Sequence, residues 1–311
     1  MSKTAFLFPG QGSQSVGMGR DLASAFPVAR RTFEEANDAL GFDLADLCFH
    51  GPEEQLRLTE FTQPAIFTVS VAALRVLAEA GVTADYVAGH SLGEYSANVA
   101  AGAIEFAAAA RTVRRRGQLM QQAVPAGRGA MAAILGMEPE AVVAVCRDAS
   151  SEDAPVEPAN LNSPEQTVIS GATAAVERAI ALAKERGARR AVLLQVSAPF
   201  HCSLMQPAQD ALAPVLHGLP FLPAKVPVVV NVDAALVAAP EALRDALVRQ
   251  VTGAVRWTES MQLLIAEGVT NFVEVGPGKV LSGLLRQIDR SQKCAQAEDP
   301  ASIEKLLAPL S

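Results

Sequence analysis

The sequence predicts an α/β protein: a large body with a parallel sheet covered by helices, and a smaller subdomain inserted at residues 127–196. Two observations carry that prediction. Short, continuous apolar runs that end at glycine-rich turns alternate with longer stretches of helical periodicity, as strands buried on both faces would. From residue 127 to 196 the order changes, and two strands follow one another directly. At ~150 residues per domain, 311 residues allow two such units.

The first run, Ala5–Phe8, stops at Pro9-Gly10-Gln11-Gly12. The second, Asp85–Ala88, enters Gly89-His90-Ser91-Leu92-Gly93, and a helical stretch from Glu94 to Ala100 follows. Residues Glu105–Val124 carry one apolar face, with Phe106, Ala109, Ala110, Val113, Gly117, Met120 and Val124 in register at about 100° per residue. The insert then reads strand (Ala130–Leu135), helix (Pro139–Asp148), strand (Val156–Asn160), strand (Gln166–Ser170), helix (Thr173–Glu185), strand (Ala191–Val196). Asn162-Ser163-Pro164 supplies turn chemistry between its middle strands. A βαββαβ order is ferredoxin-like, so the expected division is a body of residues 1–126 and 197–311 around an insert of 127–196. Val226–Val230 and Asn271–Val275, the latter entering Gly276-Pro277-Gly278, complete the body's strands.

Composition excludes several classes. Hydrophobic residues make up 50% and charged residues 19%, which supports a buried core and rules out disorder. Aromatics are only 5%, so small aliphatics fill that core. A net charge of −7 leaves no electrostatic footprint for nucleic acid or an anionic membrane. No uninterrupted apolar run approaches ~18 residues, so no membrane span is expected. The N-terminal run breaks at Pro9-Gly10 too early for a secretory signal. Cys48, Cys146, Cys202 and Cys294 are widely spaced and read as reduced thiols of a cytoplasmic protein, which is expected to be monomeric. Cys202 reads as a packing thiol, and the four histidines never pair at ligand spacing, so neither metal nor cofactor is expected.

Gly89-His90-Ser91-Leu92-Gly93 matches G-x-S-x-G between a strand and a helix, the context of a nucleophile elbow. Serine is a weak nucleophile at its own pKa and needs a base. His90 would point away from a tight turn, and His50 and His217 sit in polar stretches. His201, after Ala198-Pro199-Phe200 where the insert returns to the body, is the favoured base. On the Glu105–Val124 helix, Arg111, Arg114 and Arg115 project to the polar side, but Arg116 lies only ~60° from Val113, at the edge of the apolar stripe. A buried guanidinium needs an anionic partner, either an internal Asp or Glu or a substrate carboxylate.

With these residues in view, the chain resembles the malonyl-CoA:acyl carrier protein transacylases of bacterial fatty acid synthesis over nearly its whole length. Phe8-Pro9-Gly10-Gln11-Gly12-Ser13-Gln14 resembles the family's opening loop, Thr62-Gln63-Pro64-Ala65 its second motif, and Gly89–Gly93 its elbow. Arg116-Gly117, Asn160-Leu161-Asn162-Ser163-Pro164, Phe200-His201 and Gly276-Pro277-Gly278 follow in family order. The resemblance implies a hydrolase-like α/β body carrying a ferredoxin-like insert. It implies Ser91 as nucleophile, His201 as base held by the Gln250 carbonyl, and an oxyanion hole from the N–H groups of Gln11 and Leu92. It also implies substrate contacts at Arg116, Gln63, Phe200 and Asn160, with malonyl-CoA and an acidic acyl carrier protein as partners. Phe200 resembles the bulky residue of malonyl-selective members. Basic clusters at Lys184, Arg186, Arg189 and Arg190, and at Arg286, Arg290 and Lys293 on the C-terminal helix, are candidates for the carrier surface. A polyketide acyltransferase is the alternative within the family. A serine esterase is disfavoured because no HGGG loop occurs and no histidine follows His217; a non-catalytic acyl-CoA binder is disfavoured by Ser91, His201 and Arg116 together.

Overall fold

The strands of the computed structural model, which describes residues 2–125, 127–196 and 198–308, fall into two sheets. In chain order they are β1 (Lys3–Phe8), β2 (Tyr86–Gly89), β3 (Gly129–Leu135), β4 (Val156–Ser163), β5 (Gln166–Ala172), β6 (Arg190–Leu193), β7 (Val228–Val230), β8 (Ala235–Val237), β9 (Val269–Val275) and β10 (Cys294–Ala297). The larger sheet runs β10-β9-β1-β2-β7-β8, parallel except where β8 turns back on β7. Its central strands β1, β2 and β7 are buried on both faces, which is why they read as unbroken apolar runs. Phe6 and Phe8 face one helical layer, built around the Thr59–Glu79 helix; Ala5 and Leu7 face the other, with Trp257, Met261 and Leu285. By length and composition the Thr59–Glu79 helix could cross a membrane, although no uninterrupted apolar run singled it out; here it is a buried layer of the core.

The smaller sheet runs β4-β5-β3-β6 with every neighbour antiparallel. Helices Pro139–Ala149 and Thr173–Glu185 pack on one face around Ile134, Val142, Ile169 and Val176. Met131, Ala159 and Val168 on the other face join the core of the body. The expected boundaries of the insert fall at Ala126 and Ser197, which lie outside the described residues.

Several expectations need correction. β4 continues through Ser163, so Asn162 and Ser163 belong to the strand and the turn is Pro164-Glu165. The register of β4 is irregular on either side of Asn160 and Leu161; Leu161 stays opposite Thr167 of β5 while its N–H donates to the Val255 carbonyl of the body at 2.9 Å. β6 ends at Leu193, three residues short of Val196. β8 and β10 had no visible signal because they are short edge strands with partly exposed residues. The Val280–Ile288 helix stops before Arg290 and Lys293. Arg114 is half-buried rather than solvated, donating to the Leu40 carbonyl and lying over the Phe42 ring.

Candidate active site

The site lies beyond the C-terminal ends of β1, β2 and β7, where open parallel sheets present their ligands. Ser91 stands between β2 and the Gly93–Ala100 helix with φ 52°, a left-handed conformation that costs energy for a non-glycine residue. The flanking glycines make that turn possible. A Cβ on Gly89 would lie 2.0 Å from the Gly93 carbonyl, and one on Gly93 would lie 2.1 Å from the Phe8 oxygen. The elbow therefore packs backbone against backbone.

Ser91 Oγ is 2.7 Å from His201 Nε2. His201 Nδ1 lies 2.9 Å from the Gln250 carbonyl and 3.1 Å from that of Gly253. Carbonyls only accept, so Nδ1 carries the proton and Nε2 offers its lone pair to the serine hydroxyl. Burial pushes the His201 pKa down to about 3, and the positive charge of Arg116 acts in the same direction. The imidazole is then neutral, and able to take a proton, across the physiological range. An NMR titration of histidine-labelled protein should find His201 uncharged at pH 5; protonation near 6.5 would contradict this site. Between about pH 3 and 6.5 the unfolded chain binds a proton that the native site refuses, so this group's contribution to stability falls as pH drops through that window.

Arg116 comes from the Phe106–Gln122 helix and is only 1% exposed. Its acceptors are all neutral: Gln63 Oε1 at 2.9 Å, Gln250 Oε1 at 2.9 Å and Ser91 Oγ at 3.1 Å. The internal ion pair that sequence left open is not what holds it. Its Nε is buried without an acceptor among the described residues, and the guanidinium lies 5.6 Å from the centre of the Tyr95 ring. Burial lowers the Arg116 pKa, opposed by Tyr95 and Glu94.

A cavity of about 120 Å³ opens onto Ser91, His201 and Arg116. Gln11, Gln63, Leu92, Asn160 and Phe200 also line it, so the expected residues converge here, with Gln250 directly behind. No acceptor meets the N–H of Gln11 or Leu92 among the described residues, which leaves both free for an oxyanion. His90 also lines the cavity, with its Nε2 held 2.8 Å from Asn162 Oδ1 of the insert. His50 and His217 are exposed, and the Cys202 thiol is buried against the Pro199 carbonyl.

Sequence reasoning missed two residues. Asn231 Oδ1 accepts from the Ser91 N–H at 2.7 Å, and its Nδ2 donates to the Gly89 carbonyl at 2.7 Å, stapling the elbow. Its position just past the end of β7 was the available signal. Glu94, fully buried in the first turn behind Ser91, accepts from the Asn231 N–H and from Gln250 Nε2. Burial pushes its carboxyl up to about 7, against those donors and the charge of Arg116. Met131, Leu194 and Val196 of the insert also line the cavity and gave no functional signal.

Residues 5–305 match the model of the acyl transferase domain. The chain belongs to the acyl transferase family. This acyl transferase is 51% identical over 310 residues to the malonyl CoA-acyl carrier protein transacylase of Bacillus subtilis, covering 100% of this chain and 98% of the relative. It is 49% identical to the Escherichia coli K12 protein of the same name, with 99% of each covered. The solved acyl carrier protein S-malonyltransferase of Vibrio cholerae superposes with a TM-score of 0.96 at 50% identity, over 98% of this chain and 100% of that one. A malonyl-transacylase solved in complex with a type II PKS acyl carrier protein gives 0.96 at 49% identity, over 98% and 99%.

Proposed function

We propose that this acyl transferase carries a malonyl group from malonyl-CoA to the phosphopantetheine thiol of acyl carrier protein, with Ser91 as covalent carrier. One observation carries the reading. A hydrogen-bonded Ser91–His201 pair shares a small cavity with a buried guanidinium whose partners are all neutral. A cavity of about 150 Å³ accommodates one six-carbon ring, so this one has room for a three-carbon acyl group.

Ser91 Oγ attacks the thioester carbonyl as its proton passes to His201 Nε2; the C–S bond then breaks, and coenzyme A leaves with that proton. The carrier thiol gives its proton to His201 and attacks the acyl-serine, and Ser91 recovers the proton as its ester bond breaks. The Gln11 and Leu92 N–H groups stabilise the oxyanion in both halves, each contributing about 3 kcal/mol. Arg116, steadied by Gln63 and Gln250, binds the free carboxylate, while Phe200 and the insert's Asn160 wall the acyl pocket. Initial velocities test the scheme: parallel double-reciprocal lines for malonyl-CoA and carrier are expected, and intersecting lines would contradict the ping-pong order.

We read the body (1–126 and 197–311) as hydrolase-like and the insert (127–196) as ferredoxin-like. The strand–elbow–helix around Ser91 and the all-antiparallel order β4-β5-β3-β6 support this. The carrier is assigned to the mouth between the two units. Arg189 of the insert and Arg286 and Arg290 of the body line one groove of about 580 Å³ between the units, where Arg189 lies 3.7 Å from Glu165; Arg186 is paired with Asp148. Reversing Arg189 and Arg286 together should raise the Michaelis constant for an acidic carrier ~10-fold at low salt and less at high salt. Unchanged carrier kinetics would remove the groove from the reading. Fatty acid synthesis is the pathway assigned; a polyketide carrier is the second reading, favoured by the neighbour solved with a type II PKS carrier. Four unpaired cysteines, three of them buried, support a cytoplasmic setting, and we take the working form to be a monomer.

A further inference from the structure

We infer that Glu94 is a positioning residue for substrate selection: by accepting from the side-chain amide of Gln250, it turns that amide's oxygen onto Arg116 and so sets the guanidinium. The inference rests on Arg116 as the carboxylate-binding group. Gln250 is fully buried, and its side chain bridges two groups of opposite hydrogen-bonding character. Glu94 Oε2 lies 2.7 Å from its Nε2, and Arg116 Nη2 lies 2.9 Å from its Oε1. A carboxylate only accepts and a guanidinium only donates, so the amide has one orientation between them. With Glu94 gone, the amide loses its shortest acceptor, and the Ser91 carbonyl at 3.0 Å and Asn231 Oδ1 at 3.5 Å are left to oppose a flip that would present NH₂ to the guanidinium.

Glu94 is itself held for this task. The Asn231 N–H donates to the same Oε2 at 2.9 Å, and the carboxylate sits in the first turn of the Gly93–Ala100 helix, where the macrodipole favours negative charge. Its other oxygen, Oε1, is buried with no partner among the described residues. Glu94 and Arg116 therefore sit at opposite ends of one amide, with no direct ion pair between them among the described residues.

Because Asn231 and Gln250 also touch the Ser91 backbone, total activity alone cannot test this; the ratio of malonyl to acetyl kcat/KM can. Glu94→Ala should lower that ratio at least tenfold, chiefly through the malonyl Michaelis constant. Glu94→Gln, which can offer an oxygen to both donors, should return it to within about threefold of the parent value. If Glu94→Ala does not fold, Gln250→Met removes the bridge itself and should lower the ratio similarly. Equal losses for both thioesters in the folded variants would make Glu94 merely structural and overturn the inference. A Glu94→Gln ratio as low as that of Glu94→Ala would overturn it too. Arg116→Ala run alongside separates the failures: if it leaves the ratio unchanged, the function reading fails; if it moves the ratio and Glu94→Ala does not, only this inference fails.

Discussion

Ser91→Ala loses malonyl transfer by about four to six orders of magnitude while remaining folded, the scale expected when the nucleophile of a coupled dyad is removed. The structure explains why the fold survives. The Ser91 N–H bond to Asn231 and the Gln250 bond to the Ser91 carbonyl are made by backbone, so alanine keeps both. Only the hydroxyl is lost, with its contacts to His201 and Arg116. Initial rates and a thermal melt check the two halves. Turnover within tenfold of the parent would remove Ser91 from the mechanism.

Arg116→Ala should cost about 2–5 kcal/mol in malonyl kcat/KM, the cost of leaving a buried carboxylate without its partner. Acetyl transfer should change far less, because acetyl has no carboxylate to lose. The preference between the two thioesters then inverts. Competition between malonyl-CoA and acetyl-CoA reads the effect directly. An equal fall for both would mean that Arg116 acts only through Gln63, Gln250 and Ser91, the neutral groups it already touches.

How much of this was legible in the sequence follows from what local pattern can encode. The elbow announced itself because its glycines are demanded by backbone contact, as the 2.0 Å clash at Gly89 makes plain. Arg116 stood out because a charge at the edge of an apolar stripe contradicts helical periodicity, and it proves 1% exposed. Gln11, Gln63 and Asn160 came only through resemblance, since a lone glutamine or asparagine carries no periodic signal. Asn231 and Glu94 were missed because their roles depend on loops 140 and 156 residues apart in sequence meeting at one point: Asn231 reaches Ser91, and Gln250 reaches Glu94. The edge strands β8 and β10 failed for a related reason, because a half-exposed strand shows no continuous apolar run.

The most direct test of the account is a mass measurement on the intact wild-type chain. Treated with malonyl-CoA, it should gain one malonyl group, mapped to the peptide containing Ser91. Adding phosphopantetheinylated acyl carrier protein should then discharge the adduct and leave the malonyl group on the carrier. An adduct on any other residue, or malonyl-carrier formed with no enzyme adduct at any time, would contradict it.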